Sequence, residues 1–166
     1  SFISEYQDES TLCVVRGFVE GTPLDQLAAA APLEPRRAVG IILQLCDILN
    51  YLHSQNPPII HRDLKPQNVI VDGRGRVTLI DFGISRIYDA GARADTLCFG
   101  TRHYAAPEQY GFAQTDPRSD IYSLGVLLCW LLTGQEDVEQ GKSAIQDRRL
   151  LAVVEKCTAF DPRGRF

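Results

Sequence analysis

The chain has 166 residues, 45% of them hydrophobic and 23% charged, which suits one soluble globular domain with a real core. Its formal net charge of −4 argues against nucleic acid or an anionic membrane surface as partner, since both favour a basic patch. Five cysteines (Cys13, Cys46, Cys98, Cys129 and Cys157) lie far apart with no CxxC or Cys/His cluster, which argues against a disulfide framework or a cysteine-bound metal site and for a reducing cytoplasm. Most are expected to serve as small hydrophobes in the core. The chain has no methionine, so it is expected to be a piece of a longer polypeptide. No signal segment opens it, and its longest apolar run, Leu124 to Leu132, is too short to span a bilayer. No membrane contact is expected from this segment.

Residues 11–19, TLCVVRGFV, predict a strand running into a linker. LDQLAAAA (24–31) predicts a short helix ended by Pro32. A long helix is predicted from Pro35, a good first-turn residue, with Ala38, Ile41, Ile42, Leu45, Ile48, Leu49 and Leu52 on one face. It stops before Asn56-Pro57-Pro58. NVIV (68–71) and RVTLI (76–80) flank Asp72-Gly73-Arg74-Gly75 and predict a hairpin. Residues 84–105 read as a long loop, of the kind that is functional or disordered in compact domains. A second strong helix is predicted from about Ser119 to Leu132, closed by Thr133-Gly134. Residues 135–147 read as a polar connector, and LLAVVEKC (150–157) as a last amphipathic helix.

The densest chemistry lies in IIHRDLKPQN (59–68), followed by DFG (81–83). Asp63 and Asp81 each end an extended segment next to a turn, where a carboxylate can project into a cleft. Asn68 and Asp81 bracket the predicted hairpin, so folding it brings an amide oxygen and a carboxylate to the same end. Such oxygen ligands suit Mg²⁺, which takes one or two carboxylates together with substrate phosphates. Asp63 is then left to accept a proton from a hydroxyl, and Lys65 to neutralise a transferred phosphoryl group. Taken singly, each of these side chains would pass for a solvated loop residue.

HRDLKPQN (61–68), DFG (81–83), APE (106–108), SDIYSLG (119–125) and DPRGR (161–165) resemble the eukaryotic-type protein kinase pattern, in its order and at its spacing. YAAPEQYG and RSDIYSLGVLL look most like bacterial serine/threonine kinases of this superfamily. The resemblance implies a mainly α fold with short β hairpins (α+β). Residues 1–21 would be the end of the small lobe and the hinge. Residues 22–166 would be the C-terminal large lobe, with an activation segment at 81–108, stopping one helix before the family's usual end. It implies ATP-dependent transfer to serine or threonine hydroxyls of a protein substrate, with Mg²⁺ (or Mn²⁺) as cofactor. Asp63 resembles the catalytic base, Asn68 and Asp81 the metal ligands, and Lys65 the lysine that meets the γ-phosphate. ATP contacts are implied for Lys65, Asn68, Asp81 and the hinge residue Val19.

The resemblance also assigns structural roles. His61 would pack beneath Phe82, and Arg62 would gather a phosphate on the activation segment. Thr96 is the preferred phosphosite, with an unmodified loop residue an equal alternative, and Thr101 would shape the substrate pocket. Glu108 would pair with Arg165, and Asp120 would accept backbone N–H groups of the catalytic loop.

The glycine-rich loop, the phosphate-anchoring lysine and its glutamate partner are absent from these residues, so the missing small lobe is an expected partner and the chain by itself is expected to be inactive. The surface facing that lobe is expected to be apolar around Val69, Val71 and the hinge, which also makes a homodimer an expected partner state. Arg16 falls at the gatekeeper position, normally apolar or small. It points outward, or the alignment is off by one, or nucleotide binding is altered, and the three readings stay open. A pseudokinase or regulatory binding module is the alternative function; a small-molecule kinase of the aminoglycoside or choline type is more remote, because those usually lack the APE-type segment.

Overall fold

The computed structural model describes residues 2–8, 11–82, 85–87, 103–110 and 114–166. Strands β1 (Phe2–Gln7) and β2 (Leu12–Arg16) form an antiparallel hairpin, from Phe2 opposite Arg16 to Gln7 opposite Leu12. Its tip is closed by Asp8, whose backbone N–H and side-chain Oδ1 both bond Thr11, at 3.0 and 2.8 Å. The strand predicted at 11–19 is thus β2 alone, and β1 is an element the sequence reading did not contain.

After the linker come β3 (Thr22–Pro23) and α1 (Leu24–Leu27). The helix predicted over 24–31 is cut to a single turn. Leu24 is its buried anchor, whereas Ala29, Ala30 and Ala31 are exposed, and a short stretch without burial does not repay helix nucleation. Helix α2 (Pro35–His53) follows the predicted bounds, with Glu34 accepting the Arg37 N–H as its cap and Ala38, Ile41, Ile42, Leu45, Leu49 and Leu52 buried. Strand β4 (Ile59–Ile60) leads through residues 61–65 and a 3₁₀ turn (Pro66–Asn68) into β5 (Val69–Val71). Strand β6 (Val77–Leu79) closes the predicted hairpin, and β3-β5-β6 form one three-stranded sheet. Gln44 of α2 clasps this hairpin, donating to Gly75 O at 2.9 Å and accepting from Val77 N at 3.0 Å.

Strand β7 (Arg86–Ile87) pairs antiparallel with β4, so part of the stretch read as a featureless loop is extended backbone tied to the residues ahead of His61. A 3₁₀ turn at Pro107–Tyr110 precedes α3 (Pro117–Thr133), which starts two residues earlier than predicted. Asp116 and Ser119 make a capping box there, with Pro117 in the first turn. Helix α3 is buried on nearly every side from Ser123 to Leu131 and is the hub on which α2, α4 and α5 pack. Gly134 ends it with φ of 71°.

The connector predicted at 135–147 contains a helix, α4 (Val138–Ala144). Asp137 caps it by accepting the Glu139 and Gln140 N–H groups at 3.0 Å. Gly141 is its buried residue, set against Cys129, so a polar sequence with one small contact face suffices. Helix α5 (Arg148–Cys157), capped by Asp147, and a 3₁₀ turn (Pro162–Gly164) complete a mainly α fold with short β hairpins.

Two expectations about surfaces fail. Val69 and Val71 are buried rather than open, because β3 pairs against β5 and α1 packs beside it. Among the described side chains of residues 1–20, the exposed large apolar ones are Tyr6, Val15 and Phe18, the last 90% exposed. Of the described cysteines only Cys129 and Cys157 are core residues, where burial pushes both thiols up, Cys157 to about 11. Cys13 and Cys46 are exposed, and Cys98 lies outside the described residues. No helix among the described residues is long and apolar enough to cross a membrane.

Gly125 sets the distance between α3 and α5: a Cβ built on it would overlap Cys157 Cβ. Gly125→Ala is expected to lower stability by about 1–3 kcal/mol by forcing the helices apart. Urea denaturation of the two proteins would read this as a lower midpoint at unchanged slope.

Candidate active site

The stretch from β4 to β5 carries its polar groups in a fixed arrangement because each is bonded from a neighbouring element. Lys65 Nζ lies 2.7 Å from Asp63 Oδ2. Asn68 turns its amide nitrogen to Asp63, donating to the backbone O at 2.9 Å and to Oδ2 at 3.0 Å. With both amide protons committed, Oδ1 is the Asn68 atom left for a cation. At the end of the 3₁₀ turn, Asn68 O accepts the N–H of Ile80 at 2.8 Å, which brings Asp81 to the same end of the hairpin. Asp81 has φ of 64°, a left-handed conformation uncommon for a residue with a side chain, and its side chain is exposed. Among the described residues no three His, Cys, Asp or Glu side chains gather as a metal cage. Mg²⁺ asks for less, an oxygen pair such as Asn68 and Asp81 plus phosphate oxygens, and the donor set fits it.

The backbone of this stretch is held from beneath. Asp120, fully buried in the first turn of α3, accepts the N–H of His61 at 2.9 Å and of Arg62 at 2.8 Å. Its Oδ2 also accepts from His53 Nε2, at 2.8 Å, at the end of α2. Arg62, like Asp81, has positive φ, 69°. His61 is buried and meets Phe82 edge to face, ring centroids 5.0 Å apart. Desolvation pushes the His61 imidazole below its ordinary range, against the opposing pull of Asp120, Asp63 and Asp81.

Segment 103–110 is fastened to the same core. Arg165 donates through Nη1 and Nη2 to both oxygens of Glu108, at 2.7 and 3.0 Å, and both side chains are buried. Ser119 Oγ adds a third bond to Glu108 at 2.7 Å, and Ser123 Oγ donates to Tyr104 O at 2.7 Å. The remaining guanidinium protons of Arg165 reach the carbonyls of Ala159, Arg118 and Phe160. Gln109, also buried, accepts from Ala106 N and donates to Arg62 O.

The structure thus brings Asp63, Lys65, Asn68 and Asp81 together, with His61, Arg62 and Asp120 beneath them and Glu108 paired to Arg165. Val19 is half-buried in the linker between β2 and β3, and Arg16 ends β2. Thr96 and Thr101 lie outside the described residues, whereas Ser85, a third hydroxyl of that stretch, donates to His61 O. Sequence reasoning missed His53 and Gln109, whose partners lie 67 and 47 residues away and leave no periodic signal.

The protein kinase domain family matches residues 1–163. The chain belongs to the protein kinase family. It is 40% identical over 139 residues to a probable serine/threonine-protein kinase PknB of Lactococcus lactis subsp. lactis, covering 82% of this chain and 22% of that protein. To the serine/threonine-protein kinase PknB of Mycolicibacterium smegmatis it is 40% identical over 126 residues, 74% of this chain and 20% of the relative. To the serine/threonine-protein kinase pkn2 of Myxococcus xanthus it is 39% identical over 130 residues, 74% and 15% respectively. The chain therefore spans about a fifth of the length of the first relatives it matches.

Two outcomes follow from this kinase core. Removing one partner of the buried Glu108–Arg165 pair strands a charge, so Glu108→Gln and Arg165→Met are each expected to cost about 3–5 kcal/mol. Chemical denaturation checks this, and the double variant should recover part of the loss. Burial keeps His61 neutral when folded, while the unfolded chain takes up its proton near pH 6.5. The folded state therefore has this contribution in full above about pH 6.5 and loses it as pH falls below. The urea midpoint should drop between about pH 7.5 and about pH 5.5, and drop less in His61→Gln.

Proposed function

We propose that this chain carries the catalytic-loop half of a protein serine/threonine kinase that moves the γ-phosphoryl group of ATP to a hydroxyl of a protein substrate. The observation that supports this most is the single bonded cluster of Asp63, Lys65 and Asn68, with Asp81 delivered beside it. The names of the relatives point the same way.

On this reading Asp63 orients the substrate hydroxyl and accepts its proton as the oxygen–phosphorus bond forms. The bond from the γ-phosphorus to its bridging oxygen breaks, and ADP leaves. Lys65, within 2.7 Å of Asp63, places a positive charge where the transferred group gains negative charge. Asn68 Oδ1 and the Asp81 carboxylate would hold Mg²⁺ (or Mn²⁺), which supplies charge neutralisation for the triphosphate. Lysine at position 65 favours serine and threonine over tyrosine acceptors. Residues 1–21 act as the end of the small lobe and the hinge, with Val19 against the adenine, and residues 22–166 as the large lobe. Thr96 is the phosphosite whose phosphate Arg62 would take, and Thr101 lines the substrate pocket.

Phosphoryl transfer depends on positioning more than on covalent chemistry, and these residues supply one face of the nucleotide site. The missing small lobe supplies the other. The β1–β2 hairpin and the linker after it, with exposed Tyr6, Val15 and Phe18, are the edge at which that partner, or a second copy of this chain, would be received. The free thiols of Cys13 and Cys46 suit action in the cytoplasm, where ATP is at hand.

The test is transfer of labelled phosphate from Mg·ATP to a generic protein substrate by the full-length protein. Asp63→Asn is expected to reduce the rate at least about a thousandfold, and an undiminished rate overturns the assignment. The 166-residue chain alone is expected to bind Mg·ATP weakly by calorimetry, and affinity in the low-micromolar range would contradict the need for a second lobe.

A further inference from the structure

We propose that Gln109 is a positioning residue for Asp63, locking the peptide plane ahead of the base to segment 103–110. The inference rests on the kinase reading of Asp63. Arg62 has φ of 69°, a conformation that a residue with a side chain adopts only when its surroundings impose it. Both ends of this residue are clamped. Its N–H donates to Asp120 Oδ1 at 2.8 Å, and its carbonyl accepts from Gln109 Nε2 at 2.8 Å. That carbonyl and the Asp63 N–H belong to one rigid peptide plane, so fixing the direction of the C=O fixes where Asp63 begins. The Asp63 N–H on the same plane makes a longer contact, 3.4 Å to His61 Nδ1, against 2.8 Å for the Gln109 bond.

The other end of the same amide reads the far segment. Gln109 Oε1 accepts the Ala106 N–H at 3.0 Å, which settles which end of the carboxamide donates. The side chain is 1% exposed, and a buried amide is costly unless both ends are bonded. A leucine or methionine could fill the same volume without that cost. The amide is therefore there for its two bonds, and these join the APE motif to the catalytic loop. Because Glu108, the neighbouring residue, is held by Arg165 and Ser119, docking of segment 103–110 and orientation of Asp63 become one event.

The test uses the full-length protein with two variants. Gln109→Leu fills much of the same volume but has neither the N–H for Arg62 O nor the acceptor for Ala106 N. Gln109→Met loses both bonds. In each, kcat is expected to fall roughly ten- to hundredfold, while KM for ATP stays within about twofold. Amide hydrogen exchange should quicken over residues 61–65 and stay as in the wild type over α2 and α3. A kcat near wild type with unchanged exchange at 61–65, or a loss that appears only in KM for ATP, overturns the proposal. Should neither variant fold, the wild type decides: the Ala106 amide is expected to exchange slowly, and exchange at the unprotected rate overturns it. A wild type that transfers no phosphoryl group removes the kinase reading, while the exchange data still decide whether the clamp exists.

Discussion

The buried carboxylate of Asp120 is the constraint on which the rest of the site depends. A charge fully withdrawn from water is tolerated only when its lone pairs are occupied, and here three donors occupy them: the His61 and Arg62 amides and the His53 imidazole. The carboxylate sits in the first turn of α3, where the helix dipole favours negative charge. In exchange, the loop residues 61 and 62 adopt a backbone path that unsupported residues would leave. The charge stabilises the loop's strain, and the loop's amides stabilise the charge.

A second buried carboxylate does the same for segment 103–110. Glu108 takes a two-pronged bond from Arg165 and a third from Ser119, one residue ahead of Asp120. The amino end of α3 thus presents neighbouring anchors to two different loops, one bearing the candidate base and one bearing the APE motif. Gly125, two turns on, lets α5 lie close enough for Arg165 to come into reach of Glu108. Helix packing and loop chemistry are in this way one geometric problem, with α3 as its fixed axis.

Elements with a strong period or strong punctuation were legible in the sequence. Helix α2 and the β5–β6 hairpin lie where spacing and the Asp-Gly-Arg-Gly turn put them, and the family and the mainly α fold followed from five ordered motifs. What escaped had no period to show. Helix α4 is polar except for a cap and one glycine contact, so it passes for a connector. Strand β1 gains its character from pairing with β2. Helix α1 stops after one turn because the alanines that favour it have nothing to bury against. Val69 and Val71 read as an open surface in the sequence because the pairing of β5 with β3 is a tertiary fact. At the site, Asp63, Lys65, Asn68 and Asp81 stand out by motif. Gln109 and His53 do not, since a hydrogen bond across half the chain depends on the direction of one side chain and leaves no trace in composition or spacing.

The span of these anchors bears on the order in which the molecule can be built. Asp120 follows His61 by 59 residues, and Arg165 follows Glu108 by 57. A chain leaving the ribosome therefore presents the whole HRDLKPQN stretch long before the carboxylate that shapes it exists outside the tunnel. Until α3 has emerged and folded, the loop carries Asp63, Lys65 and Asn68 without the backbone path that Asp120 imposes. Synthesis order thus separates the loop from the groups that hold it, and the Glu108 bond can close only after Arg165 has been made.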